Sequence, residues 1–126
     1  MLDHVSLGVR DLAAAAAFYD AVLAPLGYVR LFGNQRGVGW GKPGDRDEGF
    51  AVLARGAETT ALGPGCHVAI SAPSREAVGA FHAEAVRMGG IDDGPPGLRE
   101  AYGPGYYACF VRDLDGHRIE AVFHER

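Results

Sequence analysis

The sequence lacks any apolar run long enough to cross a bilayer. Its longest uncharged stretch of that kind, Leu12 to Tyr19, falls far short of the roughly 20 residues a spanning helix needs. No basic segment leads into an apolar one at Met1-Leu2-Asp3-His4, so no secretory signal is expected and the expected location is the cytoplasm. Cysteine is scarce. Cys66 and Cys109 cannot form a disulfide framework and are read as two reduced thiols in apolar strands. Basic charge is also scarce: 12 Lys and Arg face 16 Asp and Glu, a formal net charge of −4, with no basic stripe. That excludes a nucleic-acid binder and points to a small-molecule partner. Disorder is excluded by a composition of 48% hydrophobic and 22% charged residues, which supports a packed core. What is abundant is glycine, 19 residues beside 7 Pro, the mark of many turns and many short strands.

The 126 residues contain an internal repeat at a spacing of 63. His4-Val5-Ser6-Leu7-Gly8-Val9 falls on His67-Val68-Ala69-Ile70-Ser71-Ala72. Ala14, Ala17 and Phe18 fall on Ala77, Ala80 and Phe81, and Gly27 falls on Gly90. Residues 4–28 give six identities in 25 positions, in the same order twice: a His-led strand, a helix, a glycine.

Each half reads alike. Val5, Leu7 and Val9 alternate with His4, Ser6 and Gly8, a strand period. Asp11 caps a helix from Leu12 to Leu23, rich in alanine and stopped by Pro25 and Gly27. In the second half Val68 and Ile70 alternate, Ser74 is the cap, and Val78, Phe81, Ala85 and Met88 form the helix stripe up to Gly89-Gly90. Short strands follow at 28–32, 37–40 and 50–54, then at 91–92, 106–112 and 117–124. Asp113-Leu114-Asp115-Gly116 is a hairpin turn. The long segment 92–105, rich in Gly and Pro, reads as a loop over the site. Gly39-Trp40-Gly41-Lys42-Pro43-Gly44 matches a dinucleotide-binding spacing, but no helix follows it, so its glycines are assigned to a bulge or a close backbone approach. The expected fold is α+β, one domain over residues 1–126 made of two tandem βαβββ modules, about 1–63 and 64–126.

Two such modules, each led by a strand His, resemble the vicinal oxygen chelate superfamily, which holds glyoxalase I, bleomycin- and fosfomycin-resistance proteins and extradiol dioxygenases. The resemblance spans the chain. It rests on Leu2-Asp3-His4-Val5 with Asp11-Leu12 and Phe18-Tyr19, on Cys66-His67-Val68-Ala69-Ile70, and on the stretch from Phe110 through Asp113-Leu114-Asp115-Gly116 to Ile119-Glu120. It implies curved mixed sheets around a cleft, a homodimer, and a divalent metal (Fe, Mn, Ni, Co or Zn) held by His4, His67 and Glu120, with Glu120 also the catalytic candidate. Strand alternation agrees on direction: Val5, Leu7 and Val9, and Ile119, Ala121 and Phe123, form the core sets, so His4 and Glu120 face the other way.

At the fourth ligand position of the family, where glyoxalase I has a glutamate, this chain has Ala51. Glu48 lies three residues before it and, on an unbroken strand, on the other face. That absence argues against glyoxalase chemistry in particular. Two imidazoles and one carboxylate remain, a set suited to a divalent ion that polarises substrate oxygens. Trp40, Tyr102, Tyr106 and Tyr107 are candidates to wall the cleft, and Arg99 to meet an anionic group. The resemblance thus implies a metal-dependent lyase/isomerase or dioxygenase acting on a small molecule chelated through vicinal oxygens. The alternative is a non-catalytic drug-sequestering protein of the bleomycin-resistance type, which needs no metal.

Overall fold

Alternation at the start of the chain builds β1 (Val5–Val9), in which Leu7 and Val9 are buried while Ser6 is exposed. The computed structural model describes residues 1–125. The Asp11 carboxylate accepts from the Ala14 amide at 3.1 Å and starts α1 (Leu12–Leu23). β2 (Val29–Gly33), β3 (Gly37–Gly41) and β4 (Phe50–Ala54) complete module one. The second pass gives β5 (Val68–Ser71), α2 (Arg75–Arg87), β6 (Ile91–Leu98), β7 (Tyr106–Arg112) and β8 (Arg118–His124). Ser74 caps α2 through a 3.1 Å bond from the Ala77 amide.

Each module is a four-stranded mixed sheet under one helix. The orders are β1-β4-β3-β2 and β5-β8-β7-β6, with the first pair of each parallel and the rest antiparallel. The helices carry the core. Phe18, Tyr19 and Val22 of α1 and Val78, Phe81 and Ala85 of α2 are fully buried in one cluster with Val9, Val52, Cys109 and Ile119. Each large apolar side chain in it contributes roughly 2 kcal/mol of transfer free energy. α1 packs on α2, so one core serves both modules. The faces of the two sheets away from the helices are the open faces, and they carry Ala51, Tyr106 and Glu120.

One segment departs from the expected loop at 92–105. Residues 91–98 form an edge strand, with the register against β7 shifting twice, between Asp92 and Gly94 and between Gly94 and Gly97. Pro95 and Pro96 are tolerated there because an edge strand has one unpaired side and the irregular register spares their missing amides. Only residues 99–105 remain as a connection. His117, read as the start of the last strand, lies instead in the turn before it.

That turn docks module two on module one. The buried Asp113 carboxylate accepts from the Tyr19 hydroxyl of α1 at 2.5 Å and from the Asp115 and His117 amides at 2.9 Å each. Asp115 accepts from the Arg10 amide at 2.9 Å, and His117 Nε2 donates to the Gly8 carbonyl at 2.7 Å. Gly116 takes φ +84°, the left-handed conformation this turn requires. Burial raises Asp113 above the ordinary carboxylate value, against the bonds that favour its charged form. Among the described residues no helix is long and apolar enough to cross a membrane.

Candidate functional site

The open face of module two holds a tight polar group. Glu120 on β8 is only 1% exposed, yet it lies outside the apolar core cluster. A carboxylate so buried requires partners. His67, just before β5, places Nε2 3.0 Å from Glu120 Oε1, and the Tyr106 hydroxyl of β7 donates to Oε2. Burial, followed by the Glu120 bond and charge, raises the Tyr106 phenol well above its ordinary value and keeps it a donor. Phe110, the cross-strand partner of Glu120, stands 6.3 Å from the His67 ring.

Module one offers His4, just before β1, half exposed. Its Nδ1 lies 2.7 Å from Asp3 Oδ1. A carboxylate only accepts, so Nδ1 carries the proton and Nε2 the lone pair. The Asp3 bond first, then the charges of Asp3 and Glu48, raise the His4 pKa above its ordinary value. The register fixes the equivalence of the modules: Ser6 pairs with Ala51 as Ala69 pairs with Glu120. Ala51 therefore holds the place of Glu120 in module one.

Glu48 does not follow the expected alternation. It precedes β4, and the bend at Gly49 breaks the strand before it reaches residue 48. Its stem lies over Gly39 on the open face: a Cβ added at Gly39 would stand 2.8 Å from Glu48 Cβ and 2.9 Å from its Cγ.

The remaining candidates divide between the faces. Tyr106 joins the Glu120 group, and Tyr102 stacks edge-on against Tyr106 at 5.3 Å. These two, with Gly103, Pro104 and His124, line a hollow of about 340 Å³. Arg99 lies over the Phe110 ring at 5.5 Å and bonds the Pro95 carbonyl, so its charge borders the same face. Tyr107 lies on the helix side of β7 under the Arg75 guanidinium, at 4.7 Å, away from this group. Trp40 is buried among Tyr19 and Phe50, with its indole donating to Asp20 at 2.9 Å. Trp40 also borders a second cavity, about 320 Å³, which His4 shares with Lys42 and with Val68 to Ser71 of β5. Buried thiol Cys109 is pushed up to about 12 by desolvation and is inert, whereas Cys66 is exposed.

Within one chain His4 stands apart from the module-two pair: among the described residues no three His, Cys, Asp or Glu side chains form a metal-holding group. The pair itself fits a divalent ion. Ligand atoms about 2.1 Å from one ion and at right angles to each other lie about 3 Å apart, and the His67–Glu120 spacing is 3.0 Å. The hydrogen bond that His67 Nε2 donates to Glu120 Oε1 spans the gap that a cation held by both atoms would take. Sequence reasoning missed His117 and the open-face position of Glu48. Neither had a local signal, since both depend on contacts between distant strands.

A family model described as the Glyoxalase/Bleomycin resistance protein/Dioxygenase superfamily matches residues 1–121. A glyoxalase/bleomycin resistance protein from Albidiferax ferrireducens T118 is 32% identical, with 99% of each chain covered and a TM-score of 0.84. A genomically encoded fosfomycin resistance protein from Listeria monocytogenes is 17% identical, with 99% of this chain and 93% of that one covered and a TM-score of 0.69. A glyoxalase-related enzyme from Fulvimarina pelagi is 20% identical over 98% of this chain and 87% of that one, with a TM-score of 0.69. The last two likenesses concern the fold alone. A search of curated proteins gave no match.

Proposed function

The chain belongs to the Glyoxalase/Bleomycin resistance protein/Dioxygenase superfamily, and on that premise we propose that it is a divalent-metal-dependent enzyme of the lyase/isomerase or dioxygenase type. Its substrate is a small molecule bound through vicinal oxygens. The observation that carries this reading is the His67–Glu120 pair, a ring nitrogen and a buried carboxylate oxygen 3.0 Å apart on an open sheet face. His4 is the third ligand. Because His4 stands apart from the pair in one chain, the complete site requires a second copy: module one of one protomer against module two of the other. A two-fold dimer then holds two equivalent sites.

The bound ion would supply Lewis-acid polarisation of substrate oxygens. The protein's own groups do the rest. Tyr106 fixes Glu120 Oε2 and leaves Oε1 toward His67, and these two atoms would hold the ion. Asp3 orients the His4 ring and sets its tautomer. Glu120 is the base nearest the substrate and takes up a proton there. Phe110 and the hollow beside Tyr102 exclude water and wall the substrate, and Arg99 meets an anionic substituent.

Protein purified without chelators is expected to hold one divalent ion per chain, and His67→Ala or Glu120→Ala to lose it. Mixing His4→Ala chains with Glu120→Ala chains should return up to one metal site per hybrid dimer, since one of its two interfaces keeps all three ligands. No recovery on mixing would defeat the shared site. A metal-free native protein that binds an aromatic drug would overturn the enzyme reading in favour of sequestration.

A further inference from the structure

The two open faces contain the same three chemical groups, drawn from different positions. Module two has His67, the Glu120 carboxylate and the Phe110 ring, with Glu120 and Phe110 paired across β8 and β7. In module one the places paired in that way are Ala51 and Gly39. Neither carries a functional side chain. Yet two side chains converge on Gly39. A Cβ there would meet Phe32 Cε1 at 2.2 Å and the Glu48 stem at 2.8 Å, distances no real Cβ tolerates. Phe32 reaches the position from β2, where it pairs with Gly39 after a register shift. Glu48 reaches it from the loop before β4. Under them Ala51 is 1% exposed.

Glu48 also adjoins the histidine of its own module. The Val5 amide donates to the Gly49 carbonyl at 3.1 Å, which sets the residues before Val5 beside those before Phe50. Among the described residues, none forms an ion pair or hydrogen bond with the Glu48 carboxylate.

We propose that Glu48 supplies the carboxylate that module one lacks at position 51, crossing Gly39 to join His4 as a second metal ligand from that module. Gly39 is the permissive residue: it leaves the sheet surface bare so that a side chain from outside the strand lies where an in-register glutamate would project. With Glu48 the donor set becomes two imidazoles and two carboxylates, a neutral site for a divalent ion. The second carboxylate lowers the effective charge of the ion, which moderates its Lewis acidity and weakens its pull on anionic ligands relative to a site of formal charge +1.

This inference rests on the metal reading above, and the test separates the two. Co(II) is titrated into metal-free wild type, Glu48→Gln, and Glu48→Ala with Ala51→Glu, following affinity by calorimetry and coordination by the visible spectrum of the bound ion. Glu48→Gln keeps the shape of the stem, and its folding is checked by thermal unfolding. Affinity is expected to fall by about 10-fold or more in Glu48→Gln, with a changed Co(II) spectrum. The double variant, which moves the carboxylate into register, is expected to regain the affinity and the wild-type spectrum. Wild-type affinity and spectrum in folded Glu48→Gln overturn the role of Glu48 and leave His4, His67 and Glu120 standing. Wild-type protein that binds no Co(II) overturns the metal reading and this inference together.

Discussion

In module two, β8 and β7 present Glu120 and Phe110 side by side, and His67 closes on the carboxylate at 3.0 Å. In module one, the paired places are Ala51 and Gly39, and the face is covered by Phe32 from a neighbouring strand and Glu48 from a loop. The two passes of the fold therefore present different side chains at equivalent places of their open faces. Both keep the backbone frame, because hydrogen-bond registers are cooperative along a whole ladder. Single side chains on an open face are under no such constraint, and segments outside the strand reach it, as Glu48 does over Gly39. The modules also differ in coupling. Module two grips module one through the Asp113 turn, whereas module one offers α1 and the end of β1 as the receiving surface.

The comparison breaks most severely if the modules separate. Asp113→Ala leaves the Tyr19 hydroxyl and the Asp115 and His117 amides without their acceptor in a buried place. Three lost bonds of about 1–3 kcal/mol each predict destabilisation of at least about 3 kcal/mol in urea unfolding. A change below about 1 kcal/mol would mean that helix packing alone holds the modules together.

A glycine in each module sharpens it at the next level. Gly39→Ala pushes against Phe32 and the Glu48 stem and should destabilise by about 1–3 kcal/mol. Gly79→Ala, in the middle of α2 with nothing within 4 Å of the added Cβ, should stabilise by about 0.5–1 kcal/mol. Equal signs for the two would refute the close approach at Gly39.

The smallest effect is electrostatic. In the metal-free chain the His4 imidazole titrates above its ordinary value of 6.5, mainly through its bond to Asp3. The protonated ring is thus favoured in the folded state. This contribution to stability is complete below pH 6.5 and is lost as the pH rises through the elevated midpoint. An NMR titration of the His4 ring should show Asp3→Asn lowering the midpoint most and Glu48→Gln lowering it less. No shift in the latter would separate Glu48 from His4.

Much of this was legible in the sequence. The strand alternation of Val5, Leu7 and Val9, the helix from Leu12 to Leu23 and the strands at 50–54 and 106–112 match the structure, because their periodicities and caps are local, although His4, read as leading the first strand, lies just before it. The equivalence of Ala51 and Glu120 followed from aligning two strands, and the register bears it out. The edge strand at 91–98 was hidden by its prolines, whose effect depends on which side of the strand is paired. The face taken by Glu48 was hidden because alternation holds only inside a strand, and residue 48 lies outside one. His117 read as a strand residue, since nothing near it in sequence announces the Gly8 carbonyl it meets.

By itself, then, the sequence determined the repeat, the helices, the strand faces and the superfamily, all set by spacing and by the residues next along the chain. Tertiary structure alone decided that the Glu48 stem crosses Gly39, that the turn after Asp113 joins the modules, and that His4 and the His67–Glu120 pair stay apart in one chain. These depend on distances between residues tens of positions apart. Such distances are fixed by the packing of α1 on α2 and the pairing of strands, and no local propensity encodes them.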